Sequence, residues 1–385
     1  MRKRKILIIE NSKNVTGALK SITRSSFDLA QYFEFSFVIP KTSQGKFWII
    51  NKGFLNVTEL PMKELRKSIW SVITYVPFLI INAVSLNKLV KKNQIDILHV
   101  NDAYNLLPVV LRLFGNPTPY ICHFRFLPDR FPTSLLRIWM NLHFRFASSI
   151  VVVSEKVKEQ LPSHPKIVVI HNELPIEERH ANAGLKHENE ARHFLYLSNF
   201  IPGKGQHFAL EAFSRIHNLI PNWRLRFVGG DMGLEKNRKY RLGLVELAKS
   251  LDILQKIEWN DFVEDVEFEY KEADIVLNFS ESESFSITCL EALFFGRPLI
   301  ATACGGPAEI IDHLATGILV SNRNVEEMGK AMLKLVEDES LRSQLATAAK
   351  STVREKFSVQ NTSLRLKAIY EGCSNPKEFN SFNTR

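Results

Sequence analysis

The sequence predicts an α/β protein of two doubly wound domains facing a cleft. Three observations carry that expectation. Short apolar runs alternate with longer helix-like stretches along the whole chain, the pattern of parallel strands covered by helices. A polar, charge-dense stretch from Glu173 to Arg192 splits these runs into two series. The chain, 385 residues with 45% apolar composition, is long and apolar enough to bury sizeable cores.

Taken in order, Arg2 to Lys5 lead into a first strand, Ile6–Ile9, which ends in Glu10, Asn11 and Ser12. An export signal would carry a longer apolar run, so this segment reads as a buried parallel strand. Further strands are expected at Phe35–Ile39, Ile95–Val100, Pro119–His123, Ile150–Val153 and Ile167–Ile170. Between Lys67 and Lys88 no residue is charged, a length able to span a bilayer. Pro77 and the polar Ser71, Thr74, Asn82 and Ser85 favour instead a buried helix broken near Pro77. A third reading is a helix lying on anionic lipid, held by Lys63, Arg66 and Lys67 before it and Lys88, Lys91 and Lys92 after it. The second series of strands comprises Phe194–Leu197, Leu225–Gly229, Ile257–Trp259, Ile275–Phe279 and Leu299–Ala303. Beyond Val320 the chain reads as helical and ends in the polar tail NPKEFNSFNTR.

Charge and cysteine content narrow the classes. Residues 1–172 carry 24 Lys and Arg against 10 Asp and Glu, whereas residues 173–385 carry 26 against 31. A basic front half suits a polyanionic partner such as a membrane surface or a phosphate-bearing substrate. Nucleic acid is a poor second, because no helix-turn-helix or RNA-binding signature accompanies the charge. Cys122, Cys289, Cys304 and Cys373 lie far apart with no CxxC pair, which argues against a zinc or redox module and fits a reducing, cytoplasmic setting. No GxGxxG follows a strand, no GxxxxGK[ST] occurs, and no Asp-x-Asp pair offers a simple hold on a divalent ion. If phosphates are bound, protein cations and backbone amides must bind them, with no metal and no cofactor.

The informative segment is Ile275–Ile311, IVLNFSESESFSITCLEALFFGRPLIATACGGPAEII. A buried strand is followed by a polar turn and a helix expected from Phe285 to Phe295, with Ser282 or Ser284 as N-cap. The amides of Phe285, Ser286 and Ile287 would then form an anion site at the helix start. Glu283 and Glu291 bracket that site and can accept hydrogen bonds from sugar hydroxyls. Lys204, between Gly203 and Gly205, can neutralise phosphate oxygens as a point charge, and Gly229–Gly230 marks another close backbone approach. Each residue also has a plain reading: a helix-start acid, an exposed helix acid and a solvated loop lysine. Together they describe a pocket for a sugar linked to phosphate.

These residues resemble a known family. The segment ESFSITCLEALFFGRPLIATACGGPAEII is similar to the carboxylate-x7-carboxylate signature, and the Gly-Gly turn after it, of the GT-B retaining glycosyltransferases of family 4, also called group 1. DILHVND, YICHF, VVVSEKV and VVIHNE in the front half fit it as well. The resemblance implies two Rossmann-like domains, residues 1–172 on the acceptor side and 193–360 for the donor, joined by a linker at 173–192. It also implies that a helix near 361–372 packs back on the first domain, ahead of a tail at 373–385. It implies that Lys204 holds the donor diphosphate, Glu291 the ribose and Glu283 the donor sugar, with the amides of Phe285 and Ser286 on phosphate. Gly17 would face the diphosphate, His123 the reacting carbon, and Phe262 and Val263 the nucleobase. Gly229 and Asn199 would complete the donor site.

Three departures stand out. Asn199 replaces the family's usual arginine, Ser284 and Ser286 replace glycines whose place their hydroxyls could fill by donating to phosphate, and Thr16 replaces the first glycine of its pair. The implied reaction transfers a hexose from a nucleoside-diphosphate sugar, with retention and without metal, to a glycan or lipid-linked acceptor. Its setting would be surface polysaccharide synthesis at the inner face of an anionic membrane. Phe124–Phe131 would line an acceptor groove or serve as a docking surface between domains. A catalytically inactive nucleotide- or lipid-binding scaffold and a nucleotide-sugar epimerase are the alternatives.

Overall fold

The computed structural model describes residues 2–63, 69–128, 133–173 and 192–373. It divides into two compact units, one holding the described residues up to 173 together with 359–373, the other holding 192–358. The expected linker and tail lie almost wholly outside the described residues.

The first unit contains β1 (Arg4–Ile9), β2 (Phe33–Pro40), β3 (Val57–Leu60), β4 (Ile97–Val100), β5 (Tyr120–Phe124), β6 (Ser149–Val152) and β7 (Ile167–Val169). All pair in parallel, in the order β3-β2-β1-β4-β5-β6-β7. The second contains β8 (Arg192–Leu197), β9 (Trp223–Val228), β10 (Ile257–Asn260), β11 (Ile275–Asn278), β12 (Leu299–Thr302) and β13 (Ile318–Val320). Its parallel order is β10-β9-β8-β11-β12-β13. Each is a doubly wound sheet, and in each the strand order reverses beside the first strand, at β1/β4 and β8/β11. Such switch points open crevices at the carboxyl ends of the strands.

Every expected strand is present. β3 and β13 were not expected; both are short edge strands, β3 interrupted by Thr58 and Glu59 and β13 only three residues long. Helix Val359–Gly372 belongs to the first unit: Leu366, Ile369 and Tyr370 are buried in a cluster with Ile6, Ile8, Phe33 and Phe35. Ser363 of that helix donates to Glu173, whose buried carboxyl also accepts from Ser25 at 2.6 Å.

The helix expected to break near Pro77 does not break. A single helix, Ile69–Asn93, runs through Pro77. Burial of Tyr75, Ala83, Leu86 and Val90 holds it on both sides of the proline, outweighing one lost backbone hydrogen bond. It is not wholly buried either, since Val76, Ile80, Ile81 and Val84 are exposed. Among the described residues no helix is long and apolar enough to cross a membrane.

Candidate active site

In the second unit, Lys204 and Glu283 flank the β8/β11 switch point. Lys204 follows β8 on a turn of two left-handed glycines, Gly203 (φ +91°) and Gly205 (φ +77°). Glu283 follows β11, 79 positions later, and its Oε1 lies 2.7 Å from Lys204 Nζ. Ser280 Oγ donates to the same oxygen at 2.9 Å. The backbone holds Glu283 as well: its N–H donates to Cys304 O at 3.3 Å and its carbonyl accepts from Gly306 N at 2.9 Å. Gly306 is required there, because a Cβ on it would meet Phe285 Cα at 2.1 Å.

The helix after this loop runs from Ile287 to Phe294, not from Phe285 to Phe295, and Ser286 is its N-cap residue rather than Ser282 or Ser284. Ser286 has φ +82°, a left-handed conformation that ends the extended loop one step before the helix. Its hydroxyl accepts from Asn278 Nδ2 at 3.0 Å and is 3.2 Å from Cys289 Sγ as donor. Those partners occupy it, so the suggested hydrogen bond from Ser286 Oγ to phosphate is not its resting arrangement. Phe285 precedes the helix and is buried, its amide lying outside the first helical turn.

Glu291 is the fifth helical residue and is buried. Tyr270, which sequence reasoning passed over, donates its hydroxyl to Glu291 Oε2 at 3.0 Å. Burial, reinforced by the adjacent carboxylate, holds the Tyr270 phenol well above its ordinary range. Gly229 ends β9 where a Cβ would meet Ser198 O at 2.1 Å. Asn199 supplies no cation but ties the β8 and β9 exits together, its Oδ1 accepting from Gly230 N at 3.1 Å. After β10, Phe262 is exposed and Val263 half-buried, with Phe262 Cβ beside Gly230.

In the first unit, Gly17 opens helix Gly17–Leu29, and Thr16 caps it by accepting from Leu19 N at 3.2 Å. The helix-start role of Thr16 explains why a hydroxyl residue stands there. His123, in β5, belongs to a buried relay that sequence reasoning did not find. Arg125 Nη2 lies 3.1 Å from His123 Nδ1, and a guanidinium can only donate. His123 Nδ1 is therefore the acceptor, and Nε2 carries the proton. His99 Nε2, 3.3 Å from the same Nδ1, then donates to it, and His99 Nδ1 accepts from the Tyr370 hydroxyl at 2.7 Å. His123 Nε2–H is buried and has no hydrogen-bond partner among the described residues. His123 thus offers a donor, not a base. Burial, and then the Arg125 charge, hold both rings neutral, His99 at about 3 and His123 well below the usual range.

This buried chemistry sets a pH dependence. His99, His123 and His143 are depressed by burial, so the unfolded chain binds protons below about 6.5 that the fold refuses. Stability they contribute above that pH is lost as pH falls. Asp102 and Glu173, both lifted by burial to about 8, act in the opposite sense. They are protonated in the fold and ionised in the unfolded chain, so stability falls as pH rises from about 4 to 8. With His164 also lowered and Asp28 also raised by burial, four histidines outweigh three acids below 6.5, and only the acids act above it. The melting temperature of the first unit is expected to peak near pH 6.5, with a shallower acid limb in His99→Gln; a monotonic profile across pH 5–8 would contradict these assignments.

Comparison with known proteins places these features in a family. The Glycosyl transferases group 1 profile matches residues 177–352 and the Glycosyltransferase Family 4 profile residues 60–178. An uncharacterized glycosyltransferase of Haemophilus influenzae is 27% identical over 269 residues, covering 68% of this chain and 72% of its own. The D-inositol 3-phosphate glycosyltransferase of Corynebacterium jeikeium is 33% identical over 172 residues, with 44% and 40% covered, so the chain spans less than half of that relative. The structure of Anabaena HepE in complex with UDP superposes with a TM-score of 0.81 at 18% identity, covering 96% of this chain and 100% of that one.

Proposed function

Since the chain belongs to the group 1, family 4 glycosyltransferases of GT-B fold, we propose that it transfers a hexose from a nucleoside-diphosphate sugar to a glycan or lipid-linked acceptor. Configuration is retained, no metal takes part, and the product serves a surface polysaccharide. The observation that carries this reading is the Lys204–Glu283 pair at the switch point of the second sheet. Cleaving the sugar–phosphate bond places negative charge on the departing nucleoside diphosphate, and an ammonium there stabilises it without reorganisation. Glu283, already accepting two hydrogen bonds, is set to accept sugar hydroxyls in their place. Glu291, positioned by Tyr270, takes the ribose hydroxyls, and Phe262 and Val263 flank the base. The roles that the resemblance implies for Gly17 and His123 are kept in this proposal.

UDP is the first nucleotide to test, being the ligand of the Anabaena protein of the same fold. The experiment is nucleotide release from UDP- and GDP-sugars in the presence of chelator. Turnover with one donor supports the reading. Nucleotide binding without turnover, with every donor and lipid acceptor tried, supports a scaffold, a role consistent with Asn199 holding a loop instead of supplying charge. Loss of turnover in chelator that Mg2+ restores removes the metal-free step.

The reading extends to a peripheral contact with an anionic membrane. Val76, Ile80, Ile81 and Val84 are exposed on helix Ile69–Asn93, and exposed Lys88, Lys91 and Lys92 follow them. An apolar face beside lysines suits an acidic bilayer surface. Binding to phosphatidylglycerol vesicles is expected to exceed binding to phosphatidylcholine vesicles, to weaken with salt, and to drop at least fivefold in Ile80→Glu/Ile81→Glu. Equal binding to both lipids would remove the electrostatic part of the proposal.

A further inference from the structure

β11 ends on an amide. Ile275, Val276 and Leu277 are fully buried apolar residues, and Asn278 after them is only 5% exposed. A primary amide in that position is tolerated when its donor and its acceptor are both satisfied. Both are, and both bonds reach forward into the loop that carries Glu283. Asn278 Oδ1 accepts from Ser280 N at 3.2 Å, and Asn278 Nδ2 donates to Ser286 Oγ at 3.0 Å. One side chain thus fastens the loop at its first turn and again at the last residue before helix Ile287–Phe294.

The far anchor is strained. Among the described residues, Thr42, Gln94, Met232, Asp252, Leu314 and Arg323 have φ between +53° and +66°, the φ range of the left-handed helical region. Ser286, at φ +82° and ψ +87°, lies outside that region on both angles. Glycine reaches such a conformation freely, whereas a Cβ makes it unfavourable. A serine persists there only where its surroundings hold it. Its hydroxyl is the handle, accepting from Asn278 and donating at 3.2 Å to Cys289 Sγ, a weak acceptor. The amide is the stronger of the two holds.

Glu283 lies between the two anchors. Ser280 Oγ donates to Glu283 Oε1 at 2.9 Å, and Ser280 is fixed from behind by Thr302 Oγ1, which donates to its carbonyl at 2.5 Å. If Ser286 relaxed to ordinary backbone angles, the chain on either side of it would rotate. Glu283, three residues away, would then lose its place opposite Lys204.

We propose that Asn278 is a positioning residue for the transfer reaction: through the Ser286 hydroxyl it locks the left-handed turn that sets Glu283 opposite Lys204. The inference rests on the transferase reading and deepens it with a residue that acts through another and touches no substrate. It also gives the Ser286 hydroxyl a conformational role in place of a contact with phosphate. Glutamate placement within the loop matters because small displacements of a positioning group carry large losses in rate.

The test is a double-mutant cycle in kcat/KM for the donor, read as nucleotide release, with thermal melting reporting that each sample is folded. Asn278→Ala is expected to lower kcat/KM about tenfold in the unsubstituted chain. The same substitution is expected to lower it less than about threefold where Ser286→Gly is already present, because glycine holds the turn unaided. A loss through general destabilisation would persist in the glycine background. Ser286→Gly is expected to exceed Ser286→Ala by at least about threefold, since both lack the hydroxyl and only glycine takes the conformation freely. A loss from Asn278→Ala that reaches threefold in the glycine background overturns the inference, as does one below threefold in the unsubstituted chain. A smaller advantage of glycine over alanine overturns it too and assigns the hydroxyl to the ligand. A chain that binds UDP but turns over no donor tells against the transferase reading alone. The same cycle is then read in the UDP dissociation constant, with the same expectations and the same overturning results. A chain that binds no UDP removes both.

Discussion

Lys204→Ala is expected to lower kcat/KM for the donor by about 10²–10³-fold, measured as nucleotide release at subsaturating sugar nucleotide. The ammonium is aimed at charge that grows during bond cleavage, so more of the loss falls on kcat than on KM. Lys204→Arg is expected to restore little, because a planar guanidinium needs a different approach from that given by a tight turn between two left-handed glycines. Glu283→Gln separates the partners. Lys204 Nζ is now held 2.7 Å from the Glu283 carboxylate, and a diphosphate must compete with that carboxylate for it. Removing the charge is expected to tighten binding of UDP alone by a few fold, while turnover falls because the acceptor for sugar hydroxyls is weakened. Full turnover in Lys204→Ala, or weaker UDP binding in Glu283→Gln, would sink the assignment.

The central strands were legible because each is built on a short, mostly apolar run bounded by polar turns, as in Ile6–Ile9 and Ile275–Leu277. Two of the four edge strands were not. Val57–Leu60 is half-buried on most of its length and Ile318–Val320 is three residues long, so neither produces a run that stands out. The helix start was misplaced because Ser286 takes a conformation that side-chain chemistry rarely favours; a glycine there would have marked the turn. Lys204 and Glu283 could be named singly, but their pairing depends on β8 and β11 lying side by side, which no local pattern encodes. The relay through His99, His123 and Tyr370 was further out of reach. Its members are strand residues of apolar segments and a tyrosine 271 positions beyond His99. The one available signal was a histidine inside each of two runs otherwise built for burial, DILHV and YICHF.

Gly205→Ala is expected to destabilise the second unit by about 4 kcal/mol or more and to abolish nucleotide binding, measured by denaturant unfolding and UDP titration. Left-handed backbone alone costs a side chain roughly 1–2 kcal/mol. The larger part comes from space, since a Cβ at this position would lie 1.9 Å from Phe279 O and 2.4 Å from Phe279 C, backbone atoms with nowhere to move. The Tyr196 hydroxyl fastens the same contact, accepting from Phe279 N at 2.8 Å while donating to Lys204 O at 2.5 Å. Relief of the clash would drive the Lys204 turn away from the β11 exit, and the Lys204–Glu283 pair would open. Gly203→Ala is the control. It shares the left-handed conformation at φ +91°, but its nearest neighbour, Glu281 Oε1, is 4.0 Å away. That variant should pay the backbone cost alone, about 1–2 kcal/mol, stay folded and keep binding UDP. If the two alanines behave alike, the close approach of the β8 and β11 exits is not what sets Lys204 in place, and the charge geometry argued for the donor site loses its structural cause.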